Sequence, residues 1–186
     1  MSKLLISSTL FTLLLFFQAC SSNNDETQDV NAMVSSSEYV LTELNKTQYV
    51  VKKGLNGFTV DNAKGKVILL DIFATWCPPC QAEASHLTSL QEKYKDDLLI
   101  LGITVEEGVS DSKLEAFRSE FKAEYAIVNS TENRRLIDAV ASQLNVGRNF
   151  GIPLMALYKD GKFLNFYQGA TEEEFIESDI KRALGK

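Results

Sequence analysis

The chain has 186 residues, 45% of them hydrophobic and 24% charged, with 19 Lys and Arg against 25 Asp and Glu for a formal net charge of −6. With its terminal segments set aside, that length suits one domain with a substantial apolar core. An acidic chain without a basic cluster offers no footing for nucleic acid.

Residues 1–19 read as a targeting segment. Lys3 supplies a minimal positive region, and the apolar stretch from Leu4 to Phe17 is short for a membrane span, which needs about 20 apolar residues. The stretch ends at Phe17-Gln18-Ala19-Cys20, with a small residue before the cysteine. This ending resembles the lipobox of bacterial lipoproteins, which implies cleavage before Cys20 and a lipid on that cysteine. An ordinary secretory signal or an uncleaved anchor is the competing reading. Residues 20–37 are rich in Ser, Asn, Asp and Glu and read as a flexible tether, spanning roughly 20–25 Å r.m.s.. The folded domain is expected over residues 38–186.

Within that domain, residues 39–44 and 48–52 predict two short strands around Asn45-Lys46, a hairpin. Turns follow at Asn56-Gly57 and from Asn62 to Gly65. Residues 67–74 form an apolar run whose continuity predicts a strand buried on both faces. Helix is predicted over 78–94, strand over 98–105, and helix over 111–121 with Ser110 or Asp111 as cap. A short strand over 125–128 and a helix over 131–144 capped by Thr131 come next. Apolar runs at 154–158 and 163–167 flank Asp160-Gly161, a strong hairpin signal. Tyr158, Tyr167 and the strand phenylalanines alternate along these runs and read as core. A last helix is predicted over 171–184, with Thr171 and Glu174 as a capping box. These elements demand an α/β fold: a mixed sheet with helices on both faces and an N-terminal β-hairpin.

Trp76-Cys77-Pro78-Pro79-Cys80 stands where the buried strand passes into a helix. A C-x-x-C at such a junction is a dithiol/disulfide redox pair. Cys77 at a helix N-terminus has unpaired backbone N–H groups and the macrodipole beside it, which favour thiolate. Proline is tolerated there because first-turn N–H groups lack intrahelical partners. A zinc knuckle would need a second ligand pair, and the remaining candidates are Cys20 and the lone His86. His86 reads as a solvated or packing residue. With one cysteine ending the signal and two in the pair, no structural disulfide is left over, so the core must hold the domain. Export would place the dithiol in an oxidising compartment.

Asp71 interrupts the apolar strand six residues before Cys77, and its carboxyl should be raised by burial. Glu83 shares a helical stripe with Cys80, Ala84, Leu87, Leu90 and Tyr94, so it should face at least partly inward.

From Tyr39 to Leu184 the chain resembles thioredoxin-like proteins of the TlpA/ResA type, which are exported thiol–disulfide oxidoreductases. The run from Leu69 to Cys80, Glu83, Gly151-Ile152-Pro153 and Asp160-Gly161 carry the likeness. The resemblance implies a cis Ile152–Pro153 bond lying against the dithiol, with the adjoining backbone pairing a client chain and Ile152 shaping partner choice. It implies catalysis by Cys77 and Cys80, proton management by Asp71 or Glu83, and client contact by Trp76. Its expected partners are client proteins with disulfides or cysteine pairs, a membrane thiol–disulfide electron donor, and the membrane itself through the lipid. The protein is expected to act as a monomer without cofactor, as a reductase serving cytochrome c maturation. The competing function is a copper chaperone or metal-site assembly protein, since two thiolates also hold Cu(I).

Overall fold

A computed structural model describes residues 37–186. The targeting segment, Cys20 and all of the expected tether but Ser37 lie outside the described residues.

Strands β1 (Glu38–Thr42), β2 (Gln48–Lys53) and β3 (Phe58–Val60) form an antiparallel sheet in that order. The expected hairpin thus gains a third strand, too short at three residues to declare itself by alternation. The main sheet has the order β6-β5-β4-β7-β8. Its strands are β4 (Val67–Phe73), β5 (Leu98–Thr104), β6 (Ala126–Val128), β7 (Leu154–Lys159) and β8 (Lys162–Gln168). β4, β5 and β6 run parallel, while β7 and β8 complete the sheet as an antiparallel hairpin. Asp160 and Gly161 both take positive φ, 49° and 73°, the conformation a two-residue hairpin loop requires.

Every residue of β4 is buried. Its side chains alternate between two cores. Leu69 and Phe73 pack with α1 (Pro78–Lys93), α2 (Asp111–Phe121) and α4 (Glu173–Leu184), through Leu87, Phe117 and Ile180. Ile68, Leu70 and Ile72 pack with α3 (Asn133–Leu144) and the small sheet, through Leu136, Leu41 and Phe58. This is the expected mixed sheet with helices on both faces. No helix among the described residues is long and apolar enough to cross a membrane.

Three local expectations are corrected. Thr131 does not cap α3: the Ser130 carbonyl accepts from the Asn133 N–H at 3.1 Å, and the Ser130 hydroxyl accepts from Glu132 N–H at 3.3 Å. Thr171 forms no capping box, because α4 begins at Glu173, and the Thr171 N–H and hydroxyl are used by Glu83 and by the Gly169 carbonyl. Tyr158 is fully buried, but Phe163 and Phe166 are each 38% exposed, because β8 is the sheet edge. Ser110 caps α2 as expected, its hydroxyl accepting from the Lys113 N–H at 3.2 Å.

Candidate redox site

β4 delivers the chain through Ala74-Thr75-Trp76 to the N-terminus of α1. Cys77 is the N-cap of that helix, and Pro78 and Pro79 occupy its first turn. Cys77 and Cys80 are joined as a disulfide, with Cα atoms 5.3 Å apart. The Cys80 N–H donates to Cys77 Sγ at 3.4 Å, so a first-turn amide is already aimed at the sulfur that would carry thiolate charge after reduction. Both cysteines are buried.

Opposite the disulfide, the Ile152–Pro153 bond is cis and the Ile152 carbonyl lies 3.7 Å from Cys77 Sγ. Trp76 projects outward, 63% exposed. Trp76, Val105, Ile137, Phe150 and Ile152 line a cleft of about 240 Å³. Its remaining lining residues, Arg134, Asp138 and Arg148, are charged.

Asp71 and Glu83 are both buried and both face the cluster that contains the cysteines. Burial raises the Asp71 carboxyl from its ordinary 3.8 to about 7; the nearby Glu83 charge adds to the rise, and the Tyr125 hydroxyl, donating to Asp71 Oδ2 at 3.2 Å, opposes it. Burial likewise raises Glu83 to about 7, opposed by the Thr171 N–H donating to Oε2 at 3.1 Å and by His86. Asp71 Oδ1 and Glu83 Oε1 have no hydrogen-bond partner among the described residues. Each acid therefore holds its proton well above the usual carboxylate range and keeps one oxygen available. His86 itself is exposed.

Sequence reasoning missed the group that fixes the segment before the dithiol. Glu106, just beyond β5, accepts from the Thr75 N–H at 2.7 Å and the Thr75 hydroxyl at 3.1 Å, and pairs with Lys113 at 2.6 Å. The Thr75 carbonyl in turn accepts from Gln81 Nε2 at 2.7 Å. Burial pushes the Glu106 carboxyl up, but Lys113 and the two Thr75 donors outweigh it and hold it below its ordinary value. The available signal was the acid at the carboxyl end of a strand parallel to β4, where loops converge on the site. Tyr125 was also missed, since nothing local distinguishes it from a core aromatic. Among the described residues, no group of three or more His, Cys, Asp and Glu side chains is placed to hold a metal ion.

The Redoxin family model matches residues 42–167. Over 71 residues the chain is 31% identical to the thioredoxin-like protein YneN of Bacillus subtilis (strain 168), covering 38% of this chain and 42% of that protein. Over 124 residues it is 25% identical to the thiol–disulfide oxidoreductase ResA of Bacillus thuringiensis subsp. konkukian (strain 97-27), covering 64% of each. It thus spans less than two thirds of the length of either relative. A solved thiol:disulfide interchange protein of the thioredoxin family from Chlorobium tepidum TLS superposes with a TM-score of 0.64 at 20% identity, covering 80% of this chain and 94% of that one. That likeness shows the fold.

The raised Asp71 carboxyl has a stability consequence with a definite sign. Below about pH 4 both folded and unfolded chains hold the proton, and the advantage of keeping Asp71 neutral is complete. As pH rises toward 7 the unfolded chain ionises first, so the folded state loses stability, by up to about 4 kcal/mol. In the oxidised protein, Asp71→Asn should therefore gain urea stability relative to the parent as pH is raised from 5 to 8. A difference between the two proteins that stays constant across that range would contradict a buried, titrating Asp71.

Proposed function

The chain belongs to the Redoxin family, in its TlpA/ResA-type branch, and on that premise we propose that the whole protein is a thiol–disulfide oxidoreductase that reduces disulfides in client proteins. The observation that carries this reading is the Cys77–Cys80 disulfide at the start of α1 with the Ile152 carbonyl 3.7 Å from Cys77 Sγ.

In the reduced protein, Cys77 thiolate attacks one sulfur of a client disulfide, and the other client sulfur leaves as thiolate. The product is a mixed disulfide. The client backbone pairs with the backbone just before Pro153, and a side chain flanking its cysteine enters the cleft lined by Trp76 and Ile152. Cys80 then gives its proton to Asp71 or Glu83 and attacks Cys77 Sγ. The Cys77–client bond breaks, the client leaves fully reduced, and the protein ends oxidised. A membrane thiol–disulfide donor returns it to the dithiol. The fitted clients are cysteine pairs awaiting reduction, as in cytochrome c maturation.

Residues 1–19 serve as an export signal, and Cys20 as the lipidated first residue of the mature chain. The domain over 38–186 then works at the end of the tether, on the extracytoplasmic side of a bacterial membrane, as a monomer.

Cys80→Ala should accumulate client proteins on Cys77, because release needs the second thiol. On non-reducing gels these adducts should be sensitive to dithiothreitol, and Cys77→Ala should give none; adducts at least as abundant in Cys77→Ala would reverse the two roles. Alkylation trapping of the wild-type protein in its own cell should find Cys77 and Cys80 mostly reduced, whereas a mostly oxidised pair would make the protein an oxidant. Mass spectrometry of the mature N-terminus should find a modified Cys20 as the first residue, and an unmodified terminus at another position would rule out the anchor.

A further inference from the structure

The buried hydroxyl of Tyr125 has one partner, Asp71, although the residue lies 54 positions away in the chain. Tyr125 precedes β6 and packs in the same cluster as Cys77 and Cys80. It reaches Asp71 because the intervening strand carries glycine at the crossing point. Gly102 of β5 pairs directly with Asp71, and a Cβ there would stand 2.9 Å from the Tyr125 ring and 3.3 Å from that of Phe73. Any larger residue at position 102 would push the ring off the line to Asp71.

The hydrogen bond makes the two oxygens of Asp71 different. Oδ2 accepts from Tyr125, while Oδ1 is buried without a partner among the described residues. The neighbouring strand positions Gly102 and Met155 are uncharged. From α2 and α4 the same cluster is completed by Leu114, Phe117, Ile176 and Ile180, all apolar. The titratable groups facing Asp71 are thus Tyr125, Glu83 of α1 and, once reduced, the cysteines at the start of α1; Glu83 in turn feels His86 and Glu172.

We propose that Tyr125 is a positioning residue for the resolving step. By donating to Asp71 Oδ2, it orients the carboxylate so that Oδ1 receives the Cys80 proton, and it stabilises the ionised form that can do so. The proton passes from Cys80 Sγ to Asp71 Oδ1, directly or through one water, as the Cys80–Cys77 bond forms and the Cys77–client bond breaks. Tyr125 keeps its own proton throughout, since burial and the adjacent Asp71 charge hold its hydroxyl well above the ordinary tyrosine range. This deepens the oxidoreductase reading and rests on it.

Tyr125→Phe keeps the ring and removes the donor. A hydrogen bond to a charged acceptor is worth enough that its loss should raise the proton affinity of Asp71 about tenfold, one pH unit. Carbon-13 NMR of the Asp71 carboxyl should show that shift in the oxidised protein. Stopped-flow release of the second thiolate from an aromatic disulfide should show the pH profile of resolution moving to higher pH by a similar amount, with rates falling several-fold near pH 6.5 and converging near pH 9. In an Asp71→Asn background, Tyr125→Phe should change nothing further. An unmoved Asp71 titration, an unmoved resolution profile, or an added loss in the Asp71→Asn background would each overturn the role of Tyr125. Asp71→Asn alone tests the underlying reading: if it leaves the profile unchanged, Asp71 is not the acceptor and the proposal falls with that assignment, whereas a changed profile beside an inert Tyr125→Phe defeats Tyr125 alone.

Discussion

β4 is covered on both faces, so a polar side chain on it must find partners inside the protein or remain neutral. Asp71 does some of each. One oxygen is held by Tyr125, the other has no partner, and the carboxyl keeps its proton far above the usual range. The carboxyl end of the strand leads through Ala74-Thr75-Trp76 to the start of α1, with Cys77 as the helix N-cap and Cys80 one turn deeper.

Three buried or nearly buried acids surround this junction, and their surroundings sort them into two kinds. Glu106 has a lysine and two Thr75 donors, stays ionised, and serves as an anchor for the chain just before the dithiol. Asp71 and Glu83 each have a single good donor and no adjacent lysine or arginine ion pair, and they hold protons near neutral pH. Chemically similar groups thus become an anchor that stays ionised and two acids that hold protons near neutral pH, through differences in burial and pairing. A thiol with an ordinary affinity near pH 8.5 can exchange a proton with an acid poised near 7 at modest cost.

Trp76 stands out from the surface beside a cleft that also touches Ile152, while both cysteines are buried. The far edge, β8, exposes Phe163, Leu164 and Phe166 and lies on the other side of β7 from β4, although its Tyr167 packs against the cluster that holds the cysteines.

Most of the fold was legible because it is written in short-range signals. The apolar run of β4, broken at Asp71 alone, the prolines after Cys77, Ser110 ahead of α2 and Asp160-Gly161 each depend on residues within a few positions of one another. The dithiol and the two proton-holding acids were legible for the same reason, since a strand-helix junction and a helical stripe place them without reference to the rest of the chain. The three-residue β3, the exposure of β8 and the failure of Thr131 and Thr171 as caps were not, because edge position and competing hydrogen-bond partners are properties of the assembled sheet. Glu106 and Tyr125 lie deepest in that category. Their work at the site spans 31 and 54 positions of chain, and only the packing of β5 and β6 beside β4, with Gly102 leaving room, brings them to it.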